Sequence, residues 1–320
     1  MKRALVTGAA GFVGRWLTAA LRNEGMAVTG LSLGDHGDAS TSDDDSASAP
    51  IEWRHGDLRE DAFVADVVNA ARPDFVVHLA AISHLPTAAA DPAMAWDINV
   101  TATARLLHHL ERIRSAGAAD PVVLIVGSAE QYGRHDGGPI GEEVAQAPRT
   151  VYAATKAAQE LMALQFWRAS GLRVVLARSF NHSGHGQDKR FLLPALVARA
   201  VALRGAPAGT PLIVGNTAPI RDFLHVSDVV SAYISLLRHG VAGEAYNVAS
   251  GVGRSVQDVV EIVLSRAGVT APVTRDPALV RPIDVPALVG DPRKLQRTTG
   301  WRATRSFEDI IDDLIHAETH

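Results

Sequence analysis

Tyr152 and Lys156 stand four residues apart in the run Tyr152-Ala153-Ala154-Thr155-Lys156. On a helix that spacing puts the phenol and the ammonium on one face. A neighbouring ammonium favours the phenolate, so the pair predicts a Tyr152 pKa drawn from ~10 towards ~7. A phenol so tuned exchanges a proton with an alcohol or carbonyl oxygen near neutral pH. Ser128 ends the apolar run Val122–Gly127 and can hydrogen-bond the same oxygen. By itself a Tyr and a Lys at this spacing is an ordinary feature of helices. It gains meaning from a second motif near the N-terminus.

That motif is Thr7-Gly8-Ala9-Ala10-Gly11-Phe12-Val13-Gly14, which follows an apolar run and opens a helix-compatible one. Gly8 permits a tight turn, Gly11 lets the backbone approach a pyrophosphate, and Gly14 allows close packing of helix on strand. Free N–H groups at a helix start, here those of Phe12 and Val13, favour the diphosphate charge. The nucleotide implied is NAD(H) or NADP(H). A carboxylate near Ser32 would accept the ribose hydroxyls and repel a 2′-phosphate. Ser32 is not acidic, and Arg15 could meet a 2′-phosphate, so the reading leans to NADP(H). Asp35 could supply the acid if the second strand runs longer. Asp57-Leu58 reads either as an adenine contact or as a helix N-cap.

These residues need a scaffold that brings them to one place. The 320 residues are 47% hydrophobic and 21% charged with a net charge of −4, an ordinary globular composition with no basic excess for nucleic acid. The absence of cysteine excludes disulfides, thiolate catalysis and Cys-ligated metals. No apolar run reaches the roughly 18 residues of a membrane span, and the N-terminal one is too short for a signal peptide, so a cytoplasmic location is expected. Candidate strands Ala4–Thr7, Ala27–Leu33, Ile51–His55, Phe75–Leu79, Val122–Gly127 and Arg173–Arg178 alternate with candidate helices Phe12–Asn23, Arg59–Ala71, Asp91–Ser115 and Val151–Ser170. The alternation predicts an α/β fold, a Rossmann doubly wound parallel sheet. Gly34–Pro50 carries five aspartates and no large apolar side chain and reads as a solvated loop. The adjacent Asp43, Asp44 and Asp45 lack the alternating spacing of an oxygen cage for calcium. Beyond about residue 180 prolines punctuate shorter elements, which predicts a smaller C-terminal substrate-binding lobe.

The chain resembles the extended short-chain dehydrogenase/reductase family from Ala4 to about Trp301. The residues that carry the likeness are TGAAGFVG (7–14), HLAAISH (78–84), Asn99, GSAEQYG (127–133), YAATK (152–156) and RSFNHSGHGQ (178–187). The resemblance implies residues 1–179 with 221–248 as the dinucleotide-binding domain. Residues 180–220 with 249–320 would then bind a nucleotide sugar. It implies catalysis by Ser128, Tyr152 and Lys156, and cofactor contacts from Leu79, Ala80, Ala81 and Asn99. It also implies a homodimer packed through the helices near 95–115 and 151–170.

Within that family the segments 180–187, 214–229, 246–253 and 281–295 resemble GDP-6-deoxy-4-keto-D-mannose reductases. The expected reaction is reduction of the C4 keto group of a GDP-4-keto-6-deoxy-hexose by NAD(P)H. Arg221 and Arg281 are placed on the diphosphate, since a planar guanidinium suits phosphate oxygens; surface ion pairs are the plainer alternative. Ser83 and His84 are expected at substrate or ribose, and Asn181 at substrate or in an Asx-turn. Related dehydratases place a glutamate two residues after the serine, where it acts as a base, and Glu130 holds that position. A 4,6-dehydratase or 4-epimerase with bound NAD(P) therefore remains the alternative, and a non-catalytic cofactor sensor a more distant one. His182 and His185 have no third ligand in view, so no metal is expected. The family usually has Gly-Pro-Gly where this chain has Gly184-His185-Gly186.

Overall fold

The computed structural model describes residues 1–34, 50–135, 137–280 and 285–319. The aspartate-rich loop with Asp35 and Asp43–Asp45, and the candidate diphosphate ligand Arg281, lie outside the described residues.

Among the described residues seven strands form one parallel sheet: β1 (Arg3–Thr7), β2 (Ala27–Ser32), β3 (Glu52–His55), β4 (Phe75–His78), β5 (Val122–Ser128), β6 (Arg173–Ser179) and, much later, Ala245–Val248. Between the edges the order is β3-β2-β1-β4-β5-β6 and then the late strand. Strand residues alternate faces. Val6, Val77, Leu124 and Val175 join one core with helices α1 (Phe12–Asn23) and Val226–His239. Leu5, Val76, Val123, Ile125 and Val174 join a second core with helices α2 (Asp61–Ala71), Ala102–Ser115 and Val151–Ser170. Both faces of the central strands are covered, so those strands are mainly apolar. That is the pattern read from the sequence.

One of the four expected helices contains an unforeseen break. Asp91–Ser115 is two helices, α4 (Pro92–Trp96) and α5 (Ala102–Ser115), joined by a π-turn at Asp97–Thr101. A short α3 (Leu85–Ala90) precedes them, and Val151–Ser170 is the uninterrupted α6. The helix expected from Arg59 starts at Asp61.

The C-terminal part builds a separate core. Helices α7 (Leu192–Ala202), α9 (Val256–Ala267) and α11 (Phe307–Thr319) pack around Leu212, Val214 and Phe223. Its strands are β7 (Asn181–Ser183), β8 (Leu212–Val214), β9 (Ile220–His225), β11 (Gly253–Ser255), β12 (Val273–Arg275) and β13 (Ala287–Leu288). β9 pairs with β7, β11 and β13, and β8 pairs with β12. After β9 the chain returns through α8 (Val226–His239) to the large sheet, where Ala245–Val248 is β10; α10 (Arg293–Thr299) packs near it. Buried Asp222 of β9 fastens the two parts, accepting from Ser250 N (2.9 Å), Gly251 N (2.9 Å) and Gly290 N (3.2 Å).

Candidate active site

In an open parallel sheet the crevice falls outside the strand carboxyl ends where the order reverses, here between β1 and β4. A cleft of about 1040 Å³ opens there and runs into the C-terminal part. Gly8, Gly11, Phe12, Val13, Gly14 and Arg15 line one end; Ser128, Glu130, Tyr152 and Lys156 line its middle; Asn181 and Arg221 line the other end.

The glycine turn fits a pyrophosphate. Gly8 has φ +68°, and a Cβ on Gly14 would lie inside the carbonyl oxygens of Gly8 and Ala9. No side chain caps α1, whose first residue follows Gly11, so its leading N–H groups face the cleft end. Arg15, expected near a 2′-phosphate, donates from Nη2 to the Gly186 carbonyl (3.1 Å). Beside it Trp16 donates to the His185 carbonyl (3.2 Å), and Phe12 stacks on His182 with centroids 6.3 Å apart. The loop after β7 therefore lies across the start of α1. His185 N–H donates to Asp313 Oδ2 (2.6 Å), a bond that a proline at this position could not make.

Leu79, Ala80, Ala81, Ser83 and His84 all line the cleft, as the sequence predicts. Four expected cofactor contacts, Asn99, Asp57, Leu58 and Ser32, do not line it. Asn99 is fully buried in the π-turn, where it bonds Ile82 N (2.8 Å), Ile82 O (3.2 Å) and Thr155 Oγ1 (2.9 Å). Its polar atoms are spent on holding the loop after β4 against α6, so it acts behind the cleft wall. Asp57 is likewise engaged: its carboxylate accepts Arg59 N (2.8 Å) and pairs with the Arg59 guanidinium (2.6 Å), and that bond holds its pKa below the carboxylate range. Leu58 packs on the second core, and Glu60, not Asp57, stands at the N-cap position of α2, without a side-chain capping bond. Ser32 donates to Gly34 O (2.8 Å) and lies 2.8 Å from His55 Nδ1, so the end of β2 carries a hydroxyl.

The catalytic candidates converge. β5 delivers Ser128 and α6 delivers Tyr152 and Lys156, and the Tyr152 and Ser128 hydroxyls are hydrogen-bonded. Ser128 is held by a turn in which its N–H donates to Gln131 Oε1 (2.6 Å) and its Oγ accepts Glu130 N–H (3.3 Å). Behind that turn Gln131 Nε2 reaches Glu160 Oε2 (3.0 Å), which Arg178 also holds. The expected depression of Tyr152 is overturned. Burial pushes its phenol up to about 12, with Glu130 adding to the effect and the Ser128 bond opposing it. Burial brings Lys156 down to about 7, so near neutral pH it offers only part of a charge. Its Nζ donates to Gln159 Oε1 (2.6 Å). Tyr152 is thus a phenol that keeps its proton until a reacting oxygen develops charge.

Of the other cleft residues, Arg221 and Asn181 were expected from the sequence, whereas Arg199, Tyr233 and Ser179 were not singled out. Arg199 on α7 lines the cleft with Leu196 and donates to Ile213 O (3.0 Å); helix spacing of these two was the only available hint. Arg221 is mostly buried, with Nη1 donating to the carbonyls of Ile220 (2.9 Å) and Val285 (2.8 Å). Asn181 Nδ2 donates to Asp222 O (3.3 Å). Tyr233 and Ser179, 2.6 Å apart, line the floor.

A doubly wound parallel sheet, a glycine turn at its switch point and a Ser-Tyr-Lys set across the crevice define an extended short-chain dehydrogenase/reductase. More narrowly, the chain belongs to the GDP-mannose 4,6 dehydratase family, whose model matches residues 5–314. It is 34% identical to a GDP-6-deoxy-D-mannose reductase of Pseudomonas aeruginosa, over 98% of this chain and 96% of that one. The solved structure of RMD from Pseudomonas aeruginosa complexed with NADPH matches with a TM-score of 0.84 and 30% identity over 99% of both chains. A Thermus thermophilus UDP-glucose 4-epimerase complexed with NAD matches with a TM-score of 0.83 and 27% identity, again over 99% of both. Among the described residues no helix is long and apolar enough to cross a membrane.

Proposed function

We propose that this protein reduces the C4 keto group of a GDP-4-keto-6-deoxy-hexose, of the GDP-6-deoxy-4-keto-D-mannose to GDP-D-rhamnose type, using NADP(H) or NAD(H). The observation that carries the reading is Tyr152, a protonated phenol bonded to Ser128 in a cleft continuous with the glycine turn. The likeness to a GDP-6-deoxy-D-mannose reductase along nearly the whole chain supports the substrate class.

A reduced nicotinamide supplies hydride when bound. The chain's residues do the rest. Gly8, Gly11, Gly14 and the start of α1 hold the pyrophosphate, and Arg15, already placed at that turn, is the candidate for a 2′-phosphate. Ser128 donates a hydrogen bond to the carbonyl oxygen at which negative charge develops, and Tyr152 gives that oxygen its proton. Lys156 stabilises the phenolate that remains. Arg221 and Arg281 are assigned to the diphosphate, with Ser83, His84 and Asn181 beside the sugar. Residues 1–179 with 221–248 would hold the dinucleotide, and 180–220 with 249–320 the nucleotide sugar. Exposed Met94, Trp96 and Leu161 on α4 and α6 support a homodimer through these helices, and the reading includes a cytoplasmic location.

A dehydratase is the second reading, because Glu130 lines the cleft and acts electrostatically on Tyr152. Two incubations separate them. With a GDP-4-keto-6-deoxy sugar we expect stoichiometric NAD(P)H consumption. With GDP-mannose and NAD(P)⁺ we expect no product lighter by one water. Such a product, lost in Glu130→Gln, would make the protein a dehydratase.

A further inference from the structure

Behind the cleft wall a chain of fully buried polar side chains runs from β1 to Lys156. Thr7 Oγ1 lies 2.8 Å from His78 Nδ1, and His78 Nε2 lies 2.8 Å from Thr103 Oγ1. Gln159 Nε2 donates to Thr103 Oγ1 (2.9 Å), and Gln159 Oε1 accepts from Lys156 Nζ (2.6 Å). Thr7, His78, Thr103 and Gln159 are all 0% exposed. The mechanism proposed above uses none of these four side chains.

Counting hydrogens gives the chain one consistent direction. Thr103 has one hydroxyl hydrogen, which goes to the Asn99 carbonyl (2.8 Å), so Thr103 accepts from its other neighbours. His78 must then donate from Nε2 and accept at Nδ1 from the Thr7 hydroxyl. Thr7 in turn accepts Ala80 N–H (3.1 Å). Burial, with the charge of Lys156 behind it, keeps His78 neutral by lowering its pKa to about 3, as a single-tautomer link requires. With Thr103 taking the Gln159 amide N–H, the amide oxygen is forced to face Lys156. Turning the amide over would set acceptor against acceptor at Thr103 and donor against donor at Lys156, with both groups buried.

We propose that Gln159 is a positioning residue for Lys156, its amide oxygen aimed by Thr103, His78 and Thr7 so that this buried chain holds the ammonium and supports its charge. The inference rests on the reading of Lys156 as part of the reductase site. It also ties the strand that carries the glycine turn to the catalytic helix, since Thr7 immediately precedes Gly8. Other titratable groups at this corner are Tyr152 on α6, Glu130 on the turn after β5, which acts on Tyr152, and Tyr233 on α8, on which Tyr152 acts. Glu160 of α6 and Arg178 of β6 neutralise each other. From α5 the contact to Gln159 is the uncharged Thr103. Gln159 is thus the polar side chain whose oxygen the ammonium meets, and its loss should weigh on the charged form.

The test titrates Lys156 directly. The chain has only four lysines, Lys2, Lys156, Lys189 and Lys294, so Cε-carbon-13 lysine labelling gives four signals that single replacements assign. In Gln159→Met, which keeps the volume, the Lys156 midpoint should fall by about one pH unit, as expected for losing a hydrogen bond to a charged group. Gln159→Glu should raise it, and Thr103→Val, which frees the amide to turn, should lower it by less than Gln159→Met. The same order should appear in the alkaline limb of the kcat/KM profile with the keto sugar. A Lys156 midpoint within about 0.2 unit of wild type in folded Gln159→Met would overturn the proposal. Should Gln159→Met aggregate, Thr103→Val and Gln159→Glu decide by the same criterion. A midpoint that moves in a protein inactive on the keto sugar would uphold this inference and remove the proposed function instead.

Discussion

Arg178 and Glu160 meet in a bidentate ion pair, Nη2–Oε1 2.5 Å and Nε–Oε2 3.0 Å, with side chains only 8% and 5% exposed. The pair is not isolated. Arg178 also donates to Tyr132 OH (2.8 Å) and Glu142 O (3.0 Å), and Glu160 accepts from Gln131 and Gln146 (2.6 Å). Since Gln131 holds the Ser128 N–H, the pair is the anchor of the turn that aims Ser128. Arg178→Ala leaves a buried carboxylate without its charge partner, a loss of about 3–5 kcal/mol. Urea denaturation should show the midpoint falling accordingly; a loss under 1 kcal/mol would mean that water replaces the guanidinium.

Tyr152→Phe keeps the ring packing and removes the proton donor. Reduction of the keto sugar should slow by at least ~10²-fold. NADPH affinity, followed by its fluorescence, should stay within about twofold. Turnover near that of the wild type would sink the assignment of Tyr152 as the acid.

Lys156 makes the fold less stable than a neutral residue would, and the sign can be worked out. Its folded pKa is about 7, against an ordinary lysine value of 10.5 in the unfolded chain. Below pH 7 both states hold the proton, so the full cost of burying the charge is present. Between about pH 7 and 10.5 the unfolded chain binds more protons, so stability from this group rises with pH. Lys156→Met should therefore raise Tm at pH 6, and the gain should shrink as pH climbs towards 10. Thermal melts of both proteins at pH 6, 8 and 9.5 check this; a pH-independent difference would refute it.

Arg221→Ala should act on binding rather than on turnover. If the guanidinium holds a phosphate oxygen, KM for the nucleotide sugar should rise roughly 10–150-fold, the range for a charge-assisted contact. Because Nη1 also ties the carbonyls of Ile220 and Val285, Arg221→Lys is the informative partner variant: it keeps charge but not the fork. Equal KM values for wild type and both variants would make Arg221 purely structural.

Much of this was legible in the chain itself. The parallel sheet followed from apolar runs such as Val122–Gly127, because strands covered on both faces leave no polar side. The glycine turn followed from the spacing of Gly8, Gly11 and Gly14, and the positive φ of Gly8 and the carbonyls crowding Gly14 give the steric reason. That Tyr152 and Lys156 face one cleft followed from helix periodicity.

What the sequence could not carry was where each polar atom spends its hydrogen bonds. Asn99 and Asp57 look like ligands until the fold shows their oxygens already taken by Ile82 and Arg59. The expected shift of Tyr152 reversed for a related reason: burial, which depends on everything packed above the phenol, raises its pKa and outweighs the opposing Ser128 bond. Gln159, an unremarkable residue in the sequence, gains its orientation from Thr103 and His78, which lie 56 and 81 positions away. Periodicity and steric exclusion are local and are written in the sequence; desolvation and hydrogen-bond direction are properties of the packed whole, and only the tertiary structure decides them.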